Sequence, residues 1–349
     1  MILGIESSCD ESALALFDPL SGVVASLVHG QLDLHREYGG VVPDLAVREH
    51  LKRFPVLFET LRDGPGFDAV DRVAVTCGPG LAGCLATGIA AAKGFSLLRG
   101  CPVVGVNHLT GHAWSPFLPA HAASPADFSG TVAGLLPHLG LLVSGGNTLV
   151  FRLEADRSIR ILADTRDDAA GEALDKGAKL LGLPYPGGQE IDRRSLGGDP
   201  AAFAFPRAFP KAADRAFSFS GLKTSLRYRL EKMEPGEVES RLADLCASYQ
   251  QAVVDALIRK IGQIFRAEPD IRSVGLSGGV ANNGLLRGRF AAWGASLDRP
   301  VLIADPAVTG DNAAMIAFAA FADPGGVATD GDRLGFDPAL VPGVGRSPG

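Results

Sequence analysis

Gly140-Leu141-Leu142-Val143 and Leu149-Val150-Phe151-Arg152-Leu153 read as two strands joined by the tight polar turn Ser144-Gly145-Gly146-Asn147-Thr148. The chain opens in the same way. Residues 2–6 and 13–18 read as strands, and Ser7-Ser8-Cys9-Asp10-Glu11-Ser12 joins them. Each pair has a candidate third strand, Val23–Val28 in the first case and Ile159–Asp164 in the second. Further along, Ala74-Val75-Thr76-Cys77-Gly78-Pro79-Gly80-Leu81 resembles Val274-Gly275-Leu276-Ser277-Gly278-Gly279-Val280. Both run from an apolar strand through a glycine turn into a helix, the first from Leu81 to about Leu98 and the second from about Ala281.

Two copies of three strands followed by helix–strand–helix units make the duplicated plan of the actin-like ATPase (ASKHA) superfold, an α/β fold with two lobes and a central cleft. The lobes are expected at residues 1–129 and 130–325, the second with a helical insertion near 184–240. Residues 326–349, rich in Gly and Pro, are expected to form a loose tail. Other helices are expected from Asp44, which follows Pro43 as a possible cap, at about 170–182 and 240–266, and over Asn312–Phe321.

With 349 residues and 46% apolar content, the chain can bury one large core or two moderate ones. Net charge is -6, so a nucleic-acid partner must meet a local basic surface and not a global field. The acidic Glu6 follows a very short apolar run, unlike a signal peptide, and no apolar run approaches membrane-spanning length. Cys9, Cys77, Cys84, Cys101 and Cys246 are odd in number and form no Cys-x2-Cys pair, which favours reduced thiols in a cytoplasm.

Strand Pro102–Val106 leads into Asn107-His108-Leu109-Thr110-Gly111-His112. Four residues apart on a helix, His108 and His112 lie on one face and can share a metal ion. Leu109 stands where a zinc protease has its Glu, so hydrolytic water activation is disfavoured. Asp311, in Thr309-Gly310-Asp311, is either a third ligand for zinc or iron(II) or a helix cap. Asp10 and Glu11 are either catalytic carboxylates or solvated turn residues. The Ser144-Gly145-Gly146 and Ser277-Gly278-Gly279 turns suit phosphate binding through bare backbone N–H groups. Asp175 could accept from ribose hydroxyls or form an ordinary surface charge pair. Arg207, Lys211, Arg215, Lys223, Arg227, Arg229 and Lys232 form a basic segment suited to phosphate contacts, or a solvated helix face.

The chain resembles the universal tRNA adenosine threonylcarbamoyltransferases, once described as O-sialoglycoprotein endopeptidases. The runs that carry the resemblance extend in order from residue 4 to about 320. They include Gly4-Ile5-Glu6-Ser7-Ser8-Cys9-Asp10-Glu11, Tyr38-Gly39-Gly40-Val41-Val42-Pro43, Asp167-Asp168-Ala169-Ala170-Gly171-Glu172-Ala173, Tyr185-Pro186-Gly187-Gly188 and Phe217-Ser218-Phe219-Ser220-Gly221-Leu222-Lys223.

The resemblance implies transfer of threonylcarbamoyl from threonylcarbamoyl-AMP to N6 of the adenosine beside the anticodon, in tRNAs reading ANN codons. It implies one divalent ion, iron(II) or zinc, on His108, His112 and Asp311. It places the adenylate on Leu142, Val143, Ser144, Gly145, Gly146, Asp175, Gly188 and Asn283, and it implies an inactive paralogue, a small ATPase and an adenylate synthase as partners. Asn147, Val47 and Gln189 depart from the family pattern. The competing readings are a kinase or ATPase of the same superfold, which would need no transition-metal site, and a diverged non-catalytic paralogue, which would have lost the histidine pair.

Overall fold

The structure, a computed structural model, describes residues 1–343, apart from the side chains of Pro235 and Asp332. The chain divides into two compact units. The first holds residues 1–136, 153–160 and 304–349, and the second holds 137–152 and 161–303. The first unit is built on β1 (Ile2–Glu6), β2 (Glu11–Asp18), β3 (Gly22–Gly30), β4 (Arg72–Gly78) and β5 (Val103–Asn107). Their order in the sheet is β3-β2-β1-β4-β5. β2 runs antiparallel to β1 and β3, whereas β1, β4 and β5 are mutually parallel.

β1 is buried along its whole length, as expected of a strand covered on both faces. One cover is a core of Phe54, Leu61, Ile89 and Phe95, from the helices Pro43–Arg62 and Ala82–Arg99. The other is the helix Ala313–Ala322, whose sequence Ala-Ala-Met-Ile-Ala-Phe-Ala-Ala-Phe-Ala is apolar all round and almost wholly buried. It packs on β1, β2 and β4 through small side chains. Ala13, Ala15, Ala313 and Ala314 form one cluster, and a side chain at Gly4 would collide with the Ala313 carbonyl.

The second unit carries β6 (His138–Val143), β7 (Thr148–Leu153), β8 (Ile159–Thr165), β9 (Ala216–Phe217), β10 (Ser273–Ser277) and β11 (Val301–Ile303), in the order β11-β10-β6-β7-β8-β9. Read from β8 to β11, this repeats the order of the first sheet, with β9 added at the edge. β10 runs parallel to both β6 and β11. The helix Leu242–Ala267 supplies Leu245, Tyr249, Leu257 and Ile261 to its core. The duplicated α/β plan is therefore present.

Several local expectations change. The first unit extends past residue 129 to Leu136, and the segment from Ala304 returns to it, because Ala313–Ala322 covers the first sheet. The expected tail is packed through residue 343, its last six residues lying outside the described ones. Ala328 bridges Gly105, Leu334 is buried in the first core, and the Asp337 N–H donates to the Cys77 carbonyl at 2.9 Å. The early long helix begins at Pro43 after Val42, so Asp44 lies in its first turn and does not cap it. The helix expected from Ala281 begins at Gly284, because Asn283 caps it and Gly279–Asn282 form a short 3-10 turn.

Candidate active site

Asn107 ends β5, and its Oδ1 accepts from the N–H groups of Leu109 and Thr110, starting the helix His108–Trp114 at the carboxyl end of the strand. The Asn107 Nδ2 is held by the Leu340 carbonyl at 3.1 Å. One turn apart, His108 and His112 meet edge-on with ring centroids 4.7 Å apart. His112 Nε2 lies 3.0 Å from Asp311 Oδ1, and His108 Nε2 lies 3.4 Å from the same oxygen. Asp311 is not the cap of the helix it precedes. Asn312 does that, accepting from the Met315 N–H at 2.9 Å. The competitor to a ligand role for Asp311 is thereby removed.

Among the described residues, His108, His112 and Asp311 are the one group of this kind, with ligand atoms within 4.8 Å of one another. Two imidazoles and a carboxylate suit zinc or iron(II) and leave coordination positions for ligand oxygens. The tautomer of His108 fits as well. Its Nδ1 lies 3.2 Å from Glu6 Oε2, an acceptor, so a proton held on Nδ1 leaves Nε2 as the nitrogen that an ion would take. Outer carboxylates of this kind orient metal-binding histidines. His112 Nδ1 is buried without a partner among the described residues.

Glu6 escaped the reading of the sequence as a site residue. It is fully buried, and its carboxylate also accepts from the Ser8 N–H at 2.5 Å and from Thr76 Oγ1. Its signal was an acidic residue closing an apolar strand, costly unless several partners meet it. Burial would raise the Glu6 carboxyl, but the charge and hydrogen bond of His108 outweigh it and hold it low. In Asp311, too, burial is outweighed by His108 and His112, and the carboxyl stays far below its ordinary value. Burial opposes the charge on His108, yet Asp311 and Glu6 raise it well above the usual imidazole value.

Asp10, the last residue of the turn after β1, and Glu11, the first of β2, are both half-buried. Burial pushes the Glu11 carboxyl up, and the charges of Asp311, Asp10 and Glu6 push it further. Glu11 is thus within electrostatic reach of Asp311 and His108.

In the second unit, Gly145 and Gly146 are exposed at the tip of the β6–β7 turn, and a Cβ at either would meet nothing within 4 Å. Gly279 is equally open, whereas a Cβ at Gly171 would meet the Ser144 carbonyl at 2.5 Å. Gly171 thus lets the helix Ala170–Leu180 press against the turn. Ser144 Oγ accepts from the Asn147 N–H at 3.0 Å and closes the hairpin. The side chains of Leu142 and Val143 are wholly buried, so only their backbone can touch a ligand.

Asp175 makes no surface pair with Lys176, which instead meets Asp168 and Glu172 at 2.7 and 2.9 Å. Its Oδ1 accepts from the Gly188 N–H at 3.0 Å, which joins two of the expected site residues. Asn283 Oδ1 caps its helix through the Leu286 N–H at 2.9 Å, while its buried Nδ2 has no partner among the described residues. Ser277 Oγ, at the end of β10, is likewise buried with no partner among the described residues. Asp192 also went unnoticed in the sequence. It accepts from the Gly284 N–H at 3.0 Å and the Gln250 amide at 2.9 Å, beside Asn283, and nothing in its local pattern marks it.

Part of the basic segment is engaged within its own unit. Arg207 pairs with Asp255, Arg215 with Glu268 and Arg227 with Glu231, while Arg229 lies 5.0 Å over the Phe203 ring.

A sequence profile of the tRNA N6-adenosine threonylcarbamoyltransferases (TsaD) matches residues 22–318. A protein of that name from Anaeromyxobacter dehalogenans (strain 2CP-1) is 49% identical over 321 residues, which is 91% of this chain and 92% of the relative. Another, from Fervidobacterium nodosum, is 42% identical over 322 residues and 91% of each chain. Among solved structures, full-length HypF in its phosphate- and nucleotide-bound form aligns with a TM-score of 0.58 at 12% identity, covering 93% of this chain and 46% of that one. Component A of the Acidaminococcus fermentans (R)-2-hydroxyglutaryl-CoA dehydratase aligns with a TM-score of 0.51 at 14% identity, covering 92% and 98%. These structural likenesses bear on the fold alone.

Proposed function

This chain belongs to the tRNA N6-adenosine threonylcarbamoyltransferase family, and from that premise we propose which of its residues carry the reaction. It is a transferase that places a threonylcarbamoyl group on N6 of a tRNA adenosine; relatives named for that activity along 91% of the chain do not favour a kinase, an ATPase or a non-catalytic paralogue. Threonylcarbamoyl-AMP is the donor in this reading, and the adenosine is the one beside the anticodon.

His108, His112 and Asp311 would hold one iron(II) or zinc ion, which would supply Lewis-acid polarisation of the carbamoyl carbonyl. Glu6 would hold a proton on His108 Nδ1, leaving Nε2 to bind the ion in place of its own proton. The Ser144–Gly146 turn and Gly279 offer backbone N–H groups to the phosphate, with Leu142 and Val143 contributing main chain only. Asn283 gives its Nδ2 donor to a ligand oxygen, and Asp175 with Gly188 borders the ribose. The N6 amine attacks the carbamoyl carbon, a C–N bond forms, and the C–O bond to the phosphate breaks. AMP leaves with the electron pair, and Asp10 or Glu11 takes the amine proton. An inactive paralogue, a small ATPase and an adenylate synthase as partners, and action in the cytoplasm, complete the reading. Five unpaired thiols suit that compartment.

The convergence of His108, His112 and Asp311 within 4.8 Å carries this reading. Asp311→Ala leaves two ligands, which hold a divalent ion poorly. The variant should purify folded, with most of its metal gone and no transfer to tRNA. Full metal occupancy with full activity would refute the site.

A further inference from the structure

The helix Pro43–Arg62 sends one fully buried imidazole, that of His50, to the turn between β1 and β2. His50 Nε2 lies 2.9 Å from the Cys9 carbonyl, and His50 Nδ1 lies 2.7 Å from Ser12 Oγ. A carbonyl can only accept, so Nε2 carries the proton, and Nδ1 accepts from the Ser12 hydroxyl. A single neutral ring therefore grips both ends of the two-residue step that holds Asp10 and Glu11.

A second grip comes from the chain just after β3. The Gln31 N–H donates to the Asp10 carbonyl at 3.0 Å. Its side-chain amide lies 3.5 Å from His50 Nδ1 and 3.4 Å from the Ala46 carbonyl, and its Oε1 accepts from His35 Nε2 at 3.2 Å. The buried His35 in turn accepts the Val42 N–H on Nδ1 at 3.3 Å.

A turn carrying these carboxylates needs such restraint. Asp10 and Glu11 are adjacent and half-buried carboxylates, and like charges side by side in a poorly solvated place repel. A cationic residue would answer the repulsion by pairing with the carboxylates, and so remove them from use. A neutral ring that binds only the flanking carbonyl and hydroxyl leaves both carboxyls unencumbered. Burial disfavours the imidazolium and lowers the His50 value, against weaker opposition from the Cys9 bond and from Glu6, Asp10 and Glu49.

We propose that His50 is a positioning residue, a neutral staple that sets the Cys9–Ser12 turn and with it the placement of Asp10 and Glu11. The inference rests on the reading of those two carboxylates as groups that act in the transfer.

Its test compares His50→Leu, which fills the space without polar atoms, with His50→Gln, which keeps one donor and one acceptor. Hydrogen exchange of the Cys9–Ser12 amides should speed up about tenfold or more in His50→Leu and largely recover in His50→Gln. With tRNA and threonylcarbamoyl-AMP, kcat should fall about tenfold or more in His50→Leu with KM within about twofold, and recover in His50→Gln. Metal content should remain that of the parent in both. Unchanged exchange, or unchanged kcat, in His50→Leu would overturn the proposal, as would equal losses in the two variants. Should His50→Leu fail to fold, Ser12→Ala removes one arm of the staple from the other side, and unchanged exchange there is equally fatal. A parent protein with no transfer activity would defeat the functional reading instead, while the exchange measurements still decide for or against the staple.

Discussion

Glycines of one sequence type serve opposite purposes here, and only their surroundings separate them. Gly171 and Gly278 are packing devices: a side chain would meet the Ser144 carbonyl at the first and the Val143 carbonyl at the second. Gly145 faces open space. Gly145→Val should therefore fold with little loss of stability and unchanged metal content, yet lose adenylate binding in calorimetry, because its side chain enters the volume the phosphate needs. Unaltered affinity would show that this turn does not face the ligand. His138 makes a second prediction at this scale. It is wholly buried in β6 beside Ser273 Oγ, and burial pulls its imidazole down from 6.5 to about 3. The unfolded chain binds a proton near pH 6.5 that the folded chain refuses, so its contribution is complete above 6.5 and is lost as pH falls toward 3. At pH 5 about 2 kcal/mol should be gone. His138→Gln should flatten that part of the stability–pH curve in denaturant titrations, and an unchanged slope would refute the assignment. The histidine pair, Asp311 and the glycine turns were legible because helical spacing and turn chemistry are local. Glu6, Asp192 and His50 were not, since each works through partners from distant segments.

The helix Ser220–Leu230 shows how an element can depend on a residue far away in sequence. Its own N-cap, Phe219, has no capping side chain. Asp167 supplies the cap from the loop after β8, accepting from the N–H groups of Phe219 and Ser220 at 2.8 and 3.2 Å and from the hydroxyls of Ser218 and Ser220. That arrangement gives a physical purpose to two motifs whose residues carried the family resemblance. It also fixes the most exposed part of the basic segment, with Lys223, Thr224, Arg227 and Tyr228 facing solvent. Reading charge along the sequence overstated this face, because Arg207, Arg215 and Arg229 are engaged with neighbours inside the unit. The informative double reversal is thus Lys223→Glu with Arg227→Glu, since altering Arg229 would also disturb its packing over the Phe203 and Phe205 rings. If tRNA lies on this helix, affinity should drop with metal content intact. The log–log salt slope should then shrink by about 1 for each phosphate no longer neutralised. Unchanged affinity and slope would place the tRNA elsewhere. Element boundaries inside each repeat followed strand alternation and glycine turns closely, and the exceptions at Pro43 and Gly284 arose where a neighbouring residue decided the helix start.

At the scale of the molecule, duplication was legible because the second sheet restates the first in chain order. The division into units was not, because sequence order does not reveal that Ala313–Ala322 lies on the first sheet. His112 and Asp311 stand 199 residues apart, so an ion on them ties the end of the chain to its first half. Chelation should therefore lower the melting temperature as well as activity. With the ion at about 100 times its Kd, the loss is about 2.7 kcal/mol, or roughly 4 °C for a chain of this length. The Asp311→Ala variant should melt at one temperature with or without chelator, and a chelator shift as large as the parent's would contradict the site. The same late helix has a consequence for biosynthesis. During translation β1, β2 and β4 emerge early, but the alanine-rich face that covers them arrives only after the whole second unit has left the ribosome. The second unit, contiguous except for a short excursion, can mature while the first still waits with one face of its apolar sheet uncovered. A message cut short before codon 313 would yield no half-enzyme, only a sticky intermediate fit for chaperones and proteases.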